Sequence, residues 1–177
     1  KGTFGRLLNV SGSESCIGAA WMSTNAALRT GSGLVTLASV SEVTTSVAAS
    51  LHECIYLPLG SKMLTSDCAD KLCKNACTAT AILFGCGVGN SDEAYRLLCA
   101  LIDNTSCPIV IDADGINSLA PHINELKDNT GRLILTPHIK EFSRLSGLDT
   151  DYILRHKLSC AKDFAVKYGV HVLLKDA

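Results

Sequence analysis

Short, unbroken apolar runs constrain this chain more than any other feature. Ala81–Phe84, Ile109–Ile111, Leu133–Leu135 and Val170–Leu174 each have Gly, Pro or Asp within two residues of an end. A strand with one wet face alternates apolar and polar residues. A strand covered on both faces does not, and reads as such a run. Leu34–Val40 is a longer, β-branched example, and Cys54–Leu59 a weaker one. Helical spacing fills the intervals at Ile17–Thr30, Ser41–Leu51, Glu93–Ile102, Ile116–Leu126 and Tyr152–Tyr168. Strand and helix in turn predict an α/β fold, with a mostly parallel sheet carrying helices on both faces.

Composition narrows the partners. Of 177 residues, 47% are hydrophobic and 19% charged, which suits a single packed domain over residues 1–177. Lys and Arg number 16 against 17 Asp and Glu, a formal net charge of −1. That balance argues against nucleic acid as a partner and against a polybasic membrane-surface segment. The apolar runs are far too short to span a bilayer. Nine cysteines, an odd count in a chain this large, read as reduced thiols of a cytoplasmic protein. Cys73 and Cys77 would share a helical face and could offer a soft metal two ligands. Without a CxxC pair or a nearby His, packing accounts for them and no metal site is assigned.

In open parallel sheets, ligands bind beyond the carboxyl ends of the strands. The segment after each expected strand is therefore informative. Gly85-Cys86-Gly87-Val88-Gly89 comes after the first run, where glycines let backbone approach an anionic ligand. A tight strand-to-helix turn would look the same, since this is neither a GxGxxG fingerprint nor a Walker A loop. Asp112-Ala113-Asp114-Gly115 comes after the second run. Its carboxylates point the same way only on extended backbone, where they could hold Mg²⁺ or orient a hydroxyl. Asp112 reads as structural and Asp114 as functional, with Asn117 one helical turn on. Thr136-Pro137-His138 with Glu141 comes after the third, presenting an imidazole at the sheet edge. Lys175 comes after the fourth and is placed to meet a nucleotide phosphate. Gly12-Ser13 and Gly18-Ala19-Ala20 give the first helix a start small enough to admit a ligand.

In order, these segments resemble a known family. They run from Gly12-Ser13, Gly18-Ala19-Ala20 and Ala27-Leu28-Arg29-x-Gly31-x-Gly33-Leu34-Val35 through Gly85-x-Gly87-x-Gly89 and Asp112-Ala113-Asp114-Gly115-x-Asn117. Leu135-Thr136-Pro137-His138-x-x-Glu141-Phe142-x-Arg144-Leu145 and Leu174-Lys175 complete the set. The pattern is similar to the ADP/ATP-dependent NAD(P)H-hydrate dehydratases, the carbohydrate-kinase-like half of the YjeF proteins. The resemblance implies a ribokinase-like fold and metabolite repair, in which nucleotide cleavage drives dehydration of (S)-NAD(P)H hydrate to NAD(P)H. It implies phosphoryl transfer to the ring hydroxyl and then loss of phosphate, with ADP or ATP as co-substrate and Mg²⁺. Carried over by position, Ala19, Gly87, Gly89, Asp114, Asn117, His138 and Glu141 would form the hydrate site, and Lys175 would meet the nucleotide. Family members commonly assemble, so a homo-oligomer is expected.

Two departures accompany the resemblance. The family pattern continues past Ala177 to a Gly-Thr-Gly-Asp motif whose Asp would be the general base. No Gly-x-Gly-Asp occurs here. The domain is accordingly expected to be truncated at its C-terminus, with an abrupt start at Lys1 as well. Asp176 stands where the family has Gly, next to the expected nucleotide phosphates. The alternatives are a small-molecule kinase of the ribokinase superfamily and a catalytically incomplete nucleotide-binding domain.

Overall fold

The computed structural model describes residues 2–60, 63–126 and 131–175. Its seven strands are β1 (Arg6–Val10), β2 (Leu34–Ser39), β3 (Ile55–Pro58), β4 (Ala81–Phe84), β5 (Ile109–Ile111), β6 (Leu133–Leu135) and β7 (His171–Val172). They form one sheet in the order β3-β2-β1-β4-β5-β6-β7, and every pairing is parallel. The expected α/β class, parallel sheet and strand positions therefore hold. The bounds of β4, β5 and β6 are as expected, because Gly85, Asp112 and Pro137 end each run abruptly.

β1 is the strand that apolar runs do not mark. Asn9 breaks its pattern, yet this residue is fully buried. Its Nδ2 donates to Ser23 Oγ at 2.9 Å and to Thr24 Oγ1 at 3.0 Å, both on α1 (Ile17–Arg29). A buried amide is tolerated in a central strand when a neighbouring helix supplies such partners.

The remaining helices are α2 (Ser41–Ala48), α3 (Ala69–Ala76), α4 (Asp92–Asn104), α5 (Asp114–Leu119), α6 (Ile139–Ser146), α7 (Thr150–Arg155) and α8 (Lys157–Tyr168). Two expected helices are each divided. The Ile116–Leu126 stretch becomes α5 and a 3₁₀ segment, Ala120–Glu125, with Pro121 in its first turn. The Tyr152–Tyr168 stretch breaks at His156, whose ring Nδ1 donates to Tyr152 O at 3.0 Å. α3 carries Cys73, with Cys77 at its C-cap, and Cys73 packs with its Sγ 3.6 Å from Ala100 O.

α1 packs against α2, while α3 to α7 contact one another in succession, two groups flanking the sheet. Phe84, Ile82, Ile109, Ile111, Leu97, Leu101, Ile116 and Phe142 are fully buried between the sheet and the second group. Burying side chains of this size stabilises by about 1.5–3 kcal/mol each before entropy is counted. Strand order reverses between β1 and β4, which places a crevice at their carboxyl ends. No described helix is long and apolar enough to cross a membrane.

Candidate functional site

The crevice is built by backbone first. Gly12 N–H donates to Cys86 O at 2.8 Å, and Gly85 N–H to Val10 O at 3.1 Å, so the turns after β1 and β4 are laced together. Gly85, Gly87 and Gly89 have φ of 120°, 71° and 89°, which L side chains rarely adopt. Their surroundings differ. A Cβ on Gly85 would lie 2.1 Å from Asp112 O and 2.6 Å from Gly115 N. One on Gly87 would lie 2.7 Å from Cys16 Cβ and 2.9 Å from Ala19 Cβ. One on Gly89 would meet nothing within 4 Å. Gly85 thus seats the turn after β5, Gly87 seats the start of α1 beside Ala19, and Gly89 borders open space.

The turn after β5 is strained. Ala113 has φ 51° and ψ −117°, the only positive φ of a non-glycine among the described residues. Such backbone costs on the order of 1–3 kcal/mol and persists only where its surroundings enforce it. Its consequence is that the two aspartates diverge, where extended backbone would have aimed them together. Asp114 Oδ2 accepts from Gly89 N–H at 3.0 Å and fixes the open glycine. Asp112 Oδ1 takes Lys175 Nζ at 2.6 Å, while the Cys86 Sγ lies 3.8 Å from its Oδ2.

These contacts set the local electrostatics. Burial alone would raise the Asp112 carboxyl. The Lys175 ammonium, the Thr136 hydroxyl and the Ala113 N–H outweigh it and hold the group below the usual carboxylate value. The Cys86 thiol is pushed up to about 11, first by burial and then by the Asp112 charge.

β6 leads into a capping box. His138 Nδ1 accepts from the N–H groups of Lys140 at 3.1 Å and Glu141 at 3.4 Å, and Glu141 Oε2 accepts from His138 N–H at 2.9 Å. With Nδ1 an acceptor, the ring proton is on Nε2, which lies 3.2 Å from Glu141 Oε1. Glu141 is 7% exposed and His138 48%. The buried carboxylate therefore orients the imidazole, while the ring stays half exposed. Lys175 N–H donates to Pro137 O at 2.8 Å, pairing the residue beside His138 and bringing the Lys175 chain to the same edge. Asp176 lies outside the described residues.

Ala19, Gly87, Gly89, Asp114, His138 and Lys175 are thus carried by adjoining turns at one sheet edge. Asn117 faces α6, where its Oδ1 accepts from Arg144 Nη1 at 2.7 Å. Sequence reasoning gives Arg144 no role, and its spacing of three from Glu141 is the available signal. Nor does it find the Asp112–Lys175 pair, because 63 residues separate its members. Among the described residues no three His, Cys, Asp or Glu side chains are grouped to hold a metal ion. Asp112 and Asp114 are bonded to Lys175 and Gly89 respectively and so face different partners.

The chain is similar in sequence and in fold to known proteins. A family profile described as NAD(P)H-hydrate dehydratase, of the carbohydrate-kinase group, matches residues 7–177. The bifunctional NAD(P)H-hydrate repair enzyme of Moorella thermoacetica is 32% identical over 180 residues, covering 100% of this chain and 34% of that protein. The ADP-dependent (S)-NAD(P)H-hydrate dehydratase of Neisseria meningitidis is 31% identical, over 99% of this chain and 57% of that protein. A solved ribokinase-like superfamily protein from Enterococcus faecalis shares the fold, with TM-score 0.84 at 24% identity over 98% of this chain and 58% of its own. The ADP/ATP-dependent NAD(P)H-hydrate dehydratase of Bacillus subtilis, co-crystallised with ATP/Mg²⁺, gives TM-score 0.79 at 25% identity over 99% of this chain and 59% of its own. The chain spans about a third of the bifunctional relative and 57% of the Neisseria protein. With the profile covering residues 7–177 and the motif positions gathered at one crevice, the chain belongs to the NAD(P)H-hydrate dehydratase family.

Proposed function

We propose that the protein to which this chain belongs dehydrates (S)-NAD(P)H hydrate to NAD(P)H at the expense of ADP or ATP. The observation that carries this reading is the convergence of three devices on one edge. These are the Gly87–Ala19 contact, the Asp114-anchored Gly89 and the His138–Glu141 capping box. Ala19, Gly87 and Gly89 would admit the hydrated ring close to backbone. His138, its Nδ1 held by two backbone N–H groups and its Nε2 beside Glu141, would present a preset ring face to the substrate. Asp114 and Asn117 would line the same pocket, with Glu141 acting through His138.

In this reading Lys175 is the nucleotide-side residue, with its ammonium held in place by Asp112. Transfer of a phosphoryl group from ADP or ATP to the ring hydroxyl leaves AMP or ADP, releases the hydroxyl proton and makes phosphate the leaving group. Its departure, with a proton from the adjacent ring carbon passing to a base or to water, restores the nicotinamide double bond. A crevice of fixed amides and one oriented cation suits such a transfer. Mg²⁺ would enter with the nucleotide and be held by its phosphates. The family favours a homo-oligomer, and nine free cysteines fit a reducing cytoplasm.

The test uses protein expressed from the intact gene. NADPH hydrate and Mg²⁺ are incubated with ADP or with ATP, and the return of NADPH absorbance is monitored. Recovery with one nucleotide and not the other supports the reading and names the donor. Folded protein that recovers no NADPH with either would overturn it and favour a small-alcohol kinase.

A further inference from the structure

The turn after β4 carries part of the hydrate site in the reading above, and its last glycine borders open space. Gly89 has φ 89° and nothing within 4 Å of where a Cβ would stand. Glycine has more backbone freedom to regain than any other residue, so a glycine in open space keeps its place only if its neighbours are held.

That support comes from α5. Asp114 and Ser118 are four residues apart and share one face of this helix. Asp114 Oδ2 accepts from Gly89 N–H at 3.0 Å. Ser118 Oγ accepts from Ser91 N–H at 3.3 Å and donates its own proton to Asn90 Oδ1, also at 3.3 Å. Gly89, Asn90 and Ser91 are thus held one after another by two side chains of one helix. Ser91 passes the restraint on, because it is the N-cap of α4 and its Oγ accepts from Ala94 N–H at 3.2 Å.

Ser118 is 4% exposed. A helical serine often returns its proton to a carbonyl of its own helix. This one reaches the neighbouring turn, where one donor and one acceptor use both functions of the hydroxyl. Burial of the hydroxyl without such partners would be costly, so the contact is what makes a serine acceptable at this position. The dehydratase reading gives neither Ser118 nor Asn90 a role.

We infer that Ser118 is a positioning residue of the hydrate site, acting through Asn90 and Ser91 to hold Gly89 where the substrate meets it. This rests on the dehydratase reading above.

In protein from the intact gene, Ser118→Ala should raise KM for NADPH hydrate about fivefold, the weight of one hydrogen bond between neutral groups. The value of kcat should stay within about twofold, because the loss is one of substrate affinity. Asn90→Ala trims an exposed side chain and should raise KM as well. The double variant should be no worse than the worse single one, because both substitutions cut the same bond. An unchanged KM in Ser118→Ala, a fall in kcat alone, or a double variant whose rise is the product of the two single rises overturns the inference. Amide hydrogen exchange gives a readout independent of turnover. Gly89 and Ser91 should exchange several-fold faster in Ser118→Ala, while the amides of β5 and β6 exchange as in wild type. Faster exchange throughout the domain would make Ser118 a stability element only and overturn the inference. If Ser118→Ala does not fold, Asn90→Ala decides by the same two readouts. If the wild type binds NADPH, read by its fluorescence, without dehydrating the hydrate, the dehydratase reading fails. Weaker NADPH binding by Ser118→Ala would then still sustain the positioning role, and equal binding would overturn it. A wild type that binds neither hydrate nor NADPH overturns both.

Discussion

Three glycines with the same backbone demand and different neighbours allow the crevice to be taken apart by one substitution at a time. Gly85→Ala, Gly87→Ala and Gly89→Ala all place a Cβ on a residue of positive φ, at a cost of about 1–2 kcal/mol each. The steric increment then differs. At Gly85 the new carbon would sit 2.1 Å from Asp112 O and 2.6 Å from Gly115 N, which are backbone atoms with no rotamer to yield. Overpacking of that kind adds about 1–3 kcal/mol or more and should displace the Asp112–Gly115 turn. At Gly87 the obstacles are the Cβ atoms of Cys16 and Ala19, so α1 must shift slightly. At Gly89 there is no obstacle, and strain alone remains. The expected order of destabilisation is Gly85→Ala, then Gly87→Ala, then Gly89→Ala. The last should melt only a few degrees below wild type, at about 2–4 °C per kcal/mol for a chain this long. Urea unfolding monitored by circular dichroism measures the order. Activity should not track it: Gly89→Ala, though folded, should lose substrate affinity because its methyl enters the open space. If Gly89→Ala unfolds as readily as Gly85→Ala, or keeps full affinity, the crevice is not organised by these contacts.

Other consequences are local. Asp112 has its carboxyl held below the ordinary value in the folded state, so the unfolded chain takes up its proton first as pH falls. The pair with Lys175 therefore contributes stability above the unfolded-state value, near pH 4, and loses it below. Asp112→Asn should remove that part of the acid dependence, and an acid-unfolding series on both proteins would show it. Ala113→Gly should relieve the strain at φ 51° and stabilise by about 1 kcal/mol, offset in part by glycine's entropy. A Tm lower than that of wild type would contradict the strain. The Cys86 thiol, pushed up to about 11 by burial and Asp112, should resist iodoacetamide at pH 8, while exposed Cys77 is alkylated. Peptide mass mapping after a timed pulse decides it.

Much of the fold is legible because buried parallel strands advertise themselves. β4, β5 and β6 are short apolar runs with breakers close to their ends. β1 escapes because its core position is held by a polar residue. Asn9 is acceptable there only through Ser23 and Thr24, 14 and 15 residues later, and no local rule reports such a partnership. The divided helices escape for a related reason. Apolar spacing continues through Pro121 and His156, while the backbone at those points answers to a missing donor and to a ring that bonds back on Tyr152.

The site divides along the same line. Residues whose role is fixed by their own turn are readable: the glycines after β4, and His138 with Glu141 three positions on. Residues whose role depends on a partner across the sheet are not. Asp112 and Asp114, two positions apart, look like a pair with a common target. Ala113, in a conformation no propensity would assign to alanine, turns one to Lys175 and the other to Gly89. What encodes that turn is Gly85, whose missing side chain lets Asp112 O and Gly115 N approach it. A strained alanine is thus held by a glycine 28 positions earlier on the neighbouring strand end. The divergence of the two carboxylates is a property of that contact, and it exists only once β4 and β5 are paired.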